Sequence, residues 1–480
     1  VPTDPRGLRS HAPLLDAWLR FQEDPPTPFT IPGHKQRSDV VGDVVAGDVP
    51  LYAGLDTMKL SRGVLADAEA RAARLWGADI CRFSVGGASH GNQALALAVA
   101  HGSADSDGGG NGSVIVSRTL HRSMLLGLVL AGLTPVWVRP EVDPSIGLPR
   151  GVSPAGVAEA LRRHPEARAV FVGDPSYVGT VGDVAALADV AHAHDVPLIV
   201  DSAWAAHFGF HPHLPRHALQ LGADAMVVSA HKTLPAWSQA ALVLVQGRRI
   251  DPARLDAGVE ATHTTSPAGA ILASIDASRA LLERHGEAML GEVLTAVGKA
   301  RGRLAGVEGL VVLDGPGVDP LKLTLVLSGT GADGNLVEDD LLAAGLPVEA
   351  AERDTLVAQV SLADSAQTLD RFSDAVVASV ERHRAAPRPV VTGAAYQVTP
   401  VTAMPPRAAF FAPTETVGLD ESVGRVSVEL VAPYPPGIPV LAPGEEITES
   451  VLAALGKARA DGIRIAYAAD PTLRTLRVVG

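Results

Sequence analysis

The chain has 480 residues, with 40 basic against 53 acidic side chains and a formal charge of −13 at pH 7. Its 47% apolar content excludes wholesale disorder. An acidic balance without a Lys/Arg stripe excludes a nucleic-acid partner. The single cysteine, Cys81, excludes an intrachain disulfide and a thiolate metal centre, and no metal site is expected. Val1–Ser10 carry no signal-peptide core and no run of 18 apolar residues occurs. A cytosolic protein without a membrane partner is therefore expected.

An N-terminal arm is expected over residues 1–60. From 61 to 270, short β-branched runs alternate with Ala/Leu-rich stretches of helical period, which predicts βα units feeding a mostly parallel sheet. Residues 84–93 (SVGGASHGNQ) read as a turn before a helix over 94–100. The polar tract 103–112 reads as a surface connection, because no helix follows it to present amides to an anion. Strands are predicted at 113–118, 135–139, 169–172, 196–200, 225–229 and 241–245, nearly continuous in hydrophobicity as buried strands are. A helix over 184–194 has Asp183 as its N-cap candidate. Beyond it, residues 271–384 read as a smaller α+β domain with a helix over 271–290 and a strand over 321–327. Residues 385–480 read as a Pro/Ala-rich linker leading into a C-terminal module.

Chemistry gathers where predicted strands end. Asp201 follows one and Lys232, in Ser229-Ala230-His231-Lys232, follows another. In an open α/β sheet both would face the ligand crevice at the strands' carboxyl ends. An acid and a lysine there suit pyridoxal phosphate: the lysine forms a Schiff base with the aldehyde, and the carboxylate keeps the pyridine nitrogen protonated. Each also has an ordinary reading, Asp201 as a helix cap or turn residue and Lys232 as a surface group. The glycines at 86–87 and the hydroxyl of Ser89 suit a phosphate at a helix N-terminus, although most such sequences are only turns. His121 offers an imidazole to stack on a flat ring, or is a loop histidine on the surface.

The motifs FTIPGHK (29–35), GGASHGN (86–92), RTLHRS (118–123), DPSY (174–177), DSAW (201–204), SAHK (229–232), TTSP (264–267), GRVS (424–427), YPPGIP (434–439) and PGE (443–445) occur in one order along nearly the whole chain. In this combination the chain resembles the Orn/Lys/Arg decarboxylases. The resemblance implies an α/β, aspartate-aminotransferase-like (fold type I) architecture: a mostly parallel seven-stranded sheet with helices on both faces, a small α+β domain and a C-terminal α+β module. It implies pyridoxal 5'-phosphate as cofactor and decarboxylation of lysine, ornithine or arginine. Lys232 would carry the Schiff base and Asp201 would pair with the pyridine nitrogen. Ser89 and the amides of Ala88 and His90 would hold the phosphate, helped by Ser229 and His231. His121 would stack on the ring, with Ala203 and Trp204 beside the cofactor. Lys232 or His231 would return the proton to Cα. Thr265 or Ser266 would reach the site of a neighbouring subunit, so a homodimer or an assembly of dimers is implied. For the cationic end of the substrate, Glu429, Glu445 and Glu446 are the acidic candidates, each equally readable as surface charge.

The chain departs from the pattern at Ala88, where a hydroxyl residue is usual, and at Ala408 and Glu446. The DSAW form resembles the long enteric branch, whereas the length, without an N-terminal flavodoxin-like domain, resembles the short one. Two alternatives stay open. The first is another fold type I reaction, such as transamination, for which Arg353 and Arg371 are the available carboxylate clamps. The second is a non-catalytic, cofactor-binding paralogue.

Overall fold

The computed structural model describes residues 3–24, 27, 29–49, 55–56, 63–100, 112–390, 393, 398–399, 401–434, 437–461 and 463–480. Residues 103–111 of the polar tract, residues 391–392, 394–397 and 400 of the linker, and Pro435 and Pro436 lie outside the described residues.

Seven strands form one mixed sheet: β1 (Ile80–Ser84), β2 (Ser113–Ser117), β3 (Thr134–Val138), β4 (Val170–Gly173), β5 (Leu198–Asp201), β6 (Ala225–Ser229) and β7 (Ala241–Val245), in the order β1-β7-β6-β5-β4-β2-β3. Every residue of β5, β6 and β7 is buried, as the unbroken apolar runs require. β2 runs parallel to both β3 and β4. β7 runs antiparallel to β1 and to β6, which makes the sheet mixed. The ends of the six predicted strands fall within two residues of the sequence reading, and β1 was not among them.

Two compact units interleave along the chain: Val1–Ala98 with Asp201–Gly291 and Ser361–Ala363, and Val99–Val200 with Glu292–Val360 and Asp364–Gly480. In the first, the helix predicted to begin at Ala94 begins at Gly87 and runs to Val99. Gly87, at φ +69°, makes the turn into it, a conformation that suits glycine. Gly91 lets this helix lie against the sheet, since a Cβ there would sit 2.8 Å from methyl carbons of Val227 and Val243.

In the second unit, Asp183 does cap the helix Val184–Ala193, accepting from the Ala186 amide at 3.0 Å. Its smaller sheet holds β8 (Val311–Val312), β9 (Lys322–Val326), β10 (Ala350–Glu352) and β11 (Thr355–Gln359), all antiparallel, in the order β8-β9-β11-β10. Near the chain end, Thr414–Gly418 pairs with Thr475–Val479 and Ala432–Tyr434 with Arg464–Ala466, around a core that includes Val417, Val431, Leu441, Ile447, Leu476 and Val478. The helix predicted at 271–290 runs Gly269–Ala305. Among the described residues no helix is long and apolar enough to cross a membrane.

Candidate active site

Asp201 ends β5 and is buried although it is an acid. Its carboxylate is held on both oxygens: Asn92 Nδ2 donates to Oδ2 at 2.7 Å and the Ala203 amide to Oδ1 at 3.2 Å. Asn92, itself fully buried, escaped the sequence reading as a site residue. Its place in the GGASHGN run was the one available signal.

Lys232 lies on the short helix Ala230–Thr233 that follows β6, and its Nζ sits 3.8 Å from the centroid of the Trp204 ring. An ammonium over an indole face is a favourable contact. Next to it, His231 Nδ1 donates to the Ala240 carbonyl at 2.9 Å, which leaves the lone pair on Nε2. Burial holds this imidazole below its usual range, with the neighbouring Lys232 charge adding to the effect, so it is neutral at pH 7. Ser229 is buried at the start of the short helix and its hydroxyl does not cap it.

Ala88 and Ser89 occupy the first turn of the helix Gly87–Val99, where amides have no intrahelical acceptor. Two neighbouring amides are committed: Gly87 donates to the Gln239 carbonyl at 2.8 Å and His90 to the Gly86 carbonyl at 3.4 Å. The expected anion cradle therefore narrows to Ala88 and Ser89. The His90 side chain points into the protein, sharing a hydrogen bond with Ser84 Oγ at 2.8 Å and donating from Nε2 to the Val259 carbonyl at 3.1 Å. Burial pushes it down to about 4. Thr265 and Ser266 are exposed, with the Ser266 amide turned back onto Thr264 Oγ1 at 3.2 Å.

All these groups belong to the first unit; His121, Glu429 and Glu445 belong to the second. His121 caps the helix Arg122–Ala131, its Nδ1 accepting from the Ser123 amide at 3.3 Å.

Two of the three acids considered for the substrate's cationic end have other work. Glu445 forms a buried, two-pronged pair with Arg118, at 2.5 Å to Nη1 and 2.8 Å to Nη2, and Oε2 also accepts from the Ala442 amide at 2.8 Å. Arg118 completes its set on the carbonyls of Pro439 and Val440 and stacks on Trp137. Glu429 accepts from the amides of Ala469 and Arg477, both at 2.7 Å. Each carboxylate is consumed in tying the C-terminal segment together. Glu446 is half-buried, and its amide donates to the Val401 carbonyl at 2.8 Å. The two candidate clamps for transamination are likewise engaged: Arg353 with Asp354 and Asp461, and Arg371 with the Ala344 carbonyl.

The residues of the first unit fit pyridoxal phosphate. A buried, ionisable acid at one strand end, a lysine after the neighbouring strand and uncommitted first-turn amides match the three chemical demands of a pyridine nitrogen, an aldehyde and a phosphate. Residues 12–314 match the major domain of the Orn/Lys/Arg decarboxylases and residues 390–458 match their C-terminal domain. The chain belongs to the Orn/Lys/Arg decarboxylase family. Among its relatives, the arginine decarboxylase of Halalkalibacterium halodurans is 31% identical over 98% of both chains. That of Bacillus subtilis is 30% identical over 97% of both. In fold, the chain resembles lysine decarboxylase A from Pseudomonas aeruginosa, with a TM-score of 0.81 at 21% identity, covering 98% of this chain and 80% of that one. It also resembles the constitutive lysine decarboxylase of Escherichia coli, with a TM-score of 0.79 at 20% identity, covering 98% and 82%.

Asp174, which follows β4 in the family's DPSY stretch, is buried and accepts from the Gly182 amide at 2.6 Å. Burial pushes its carboxyl up to about 7, the single hydrogen bond offsetting this only in part. A raised acid contributes stability that is complete below its unfolded value and is lost as pH rises through the folded one. Asp174→Asn removes this dependence. Its stability relative to wild type should therefore climb between about pH 4 and pH 7 and then level off, by on the order of 2 to 4 kcal/mol. Urea melts at intervals across that range measure it, and parallel curves for the two proteins would show that the carboxyl is not buried as described.

Proposed function

We propose that this chain removes the α-carboxylate of a basic L-amino acid, with pyridoxal 5'-phosphate as cofactor, and that arginine is its first substrate. The observation that carries the reading is the presence in one unit of Lys232, its Nζ over the Trp204 ring, and the buried and doubly held Asp201. Arginine is favoured because the relatives named arginine decarboxylase match over 97–98% of both chains. When bound, the cofactor supplies a sink for the electron pair left at Cα as the carboxylate departs.

The protein's own groups do the rest. Lys232 offers the amine that tethers the cofactor, and Asp201 holds a negative charge where the ring nitrogen carries its proton. Ala88 and Ser89 offer amides, and Ser89 its hydroxyl, to the phosphate. The family resemblance would make His121 the ring-stacking group. The Cα–carboxylate bond breaks, carbon dioxide leaves, and Lys232 or His231 returns a proton to Cα. A neutral His231 with its lone pair on Nε2 suits proton shuttling near pH 7.

A decarboxylase gains nothing from clamping the carboxylate it expels, since that stabilises the ground state. The engagement of Arg353 and Arg371 elsewhere supports decarboxylation over transamination. The working form is a homodimer, supported by the apolar side chains that the arm turns outward: Phe29 is 97% exposed, Val44 84% and Val40 65%. A buried free thiol at Cys81 accords with a cytosolic setting.

Incubating purified chain and cofactor separately with arginine, lysine and ornithine, and measuring carbon dioxide and amine, tests the reading. Arginine should give the fastest release. Keto-acid formation would overturn decarboxylation, and cofactor uptake without turnover on any of the three would favour the non-catalytic paralogue. Asp201→Asn should keep the fold and the contact with Asn92 but lower turnover by about 10³-fold or more, because an amide cannot hold the ring-nitrogen proton. Near-normal activity would remove Asp201 from the mechanism.

A further inference from the structure

We infer that Asn92 is a positioning residue that sets the proton affinity of the cofactor's ring nitrogen through Asp201; the inference rests on the cofactor reading above. Asn92 is fully buried in the middle of a helix, where asparagine is a poor helix former and a buried amide needs partners. What it finds is Asp201 Oδ2, at 2.7 Å. A carboxylate only accepts, so the amide nitrogen must face it. A hydrogen bond to the charged form favours that form. An amide neither gains nor loses a proton, so it stabilises the negative charge on Asp201 without competing for the proton that the charge is there to hold.

The position of Asn92 follows from the same helix that offers the anion cradle. Ser89 and Asn92 stand three residues apart, on one helix face, with a rise between them of about 4.5 Å. In pyridoxal phosphate the phosphate arm, on C5, and the ring nitrogen are separated by C6, so the two need separate partners. One rigid helix would serve both, its first turn offering amides to the phosphate and its second turn holding the acid that would face the nitrogen. Gly91, pressed on Val227 and Val243, sets the helix close enough to the sheet for Asn92 to reach the end of β5.

The test uses the holoenzyme loaded with pyridoxal phosphate labelled with ¹⁵N in the ring, whose chemical shift reports protonation of that nitrogen across a pH series, together with the cofactor's Kd. Asn92→Leu keeps the size of the side chain and removes the donor. Its Kd should rise about ten-fold or more, the scale of one hydrogen bond to a charged group. Its ring nitrogen should lose the proton at lower pH than in wild type. Asn92→Asp has nearly the same shape but sets a second buried carboxyl against the first, and two carboxyls so close share one proton. The protonated member still donates to its neighbour, so the midpoint should stay at or above that of wild type. A fall in the Leu variant with none in the Asp variant is a signature that mere core packing does not produce, and the Asp variant carries the test if the Leu variant does not fold, a midpoint below wild type counting against the inference. Midpoints that match wild type in both variants, or that fall in both, overturn the inference alone. Wild-type protein that takes up no cofactor overturns the cofactor reading and the inference with it.

Discussion

Lys232→Ala is expected to abolish covalent capture of the cofactor. Borohydride treatment of the loaded wild-type protein should fix one label on the peptide containing residue 232, and on the variant none. Turnover should fall by about 10³-fold or more, because no other primary amine stands beside the site in the SAHK helix to replace it. Stability should change little, within roughly 1 kcal/mol, since Lys232 is only half-buried and its ammonium sits over the face of Trp204. A variant that still carries borohydride-fixed label would place the tether on another lysine. A variant that loses the label but keeps its turnover would remove the tether from the chemistry.

Glu445→Ala should damage the fold rather than substrate binding. Both members of the Arg118–Glu445 pair are 3% exposed in their side chains. Removing one leaves a buried guanidinium whose two remaining partners are carbonyls, at an expected cost of about 3–5 kcal/mol. Replacing both with apolar residues of similar size should recover much of that loss, because the penalty of desolvating the charges goes with them. Urea unfolding of the single and double variants measures the difference. An Ala variant with wild-type stability and a raised KM for arginine would return Glu445 to the role of substrate partner.

Much of the fold was legible because buried strands announce themselves. AMVVS and ALVLV leave no polar position for solvent, and the strands lie where these runs do. The helix Gly87–Val99 was read seven residues short because its first two turns, GASHGN, are made of residues that favour turns. Their close approach to Val227 and Val243 at Gly91 is a tertiary contact that the local sequence does not announce. The long helix Gly269–Ala305 was read only to Leu290 for a related reason: Gly291, Gly298 and Gly302 dilute its period beyond that point. In the site, Asp201 and Lys232 stood out by following strands. Asn92 did not, because its significance is a contact across 109 residues of sequence. The partners of Glu429 and Glu445 were hidden for the same reason: what engages an acid is invisible until the chain folds back, as the amides of Ala469 and Arg477 do onto Glu429.

The tie between Arg118 and Glu445 spans 327 residues, and this separation has a cost during synthesis. At about 5–20 residues per second, the arginine waits roughly 15 to 65 s on the ribosome for its carboxylate to be made. Until then the guanidinium has neither Glu445 nor the carbonyls of Pro439 and Val440. Strand β2, just before Arg118, can form early, but the ground beneath the arginine stays open to solvent and to wrong partners. The second unit is thus a late folder by construction, since it closes around Arg118 only once residues 439–445 have emerged.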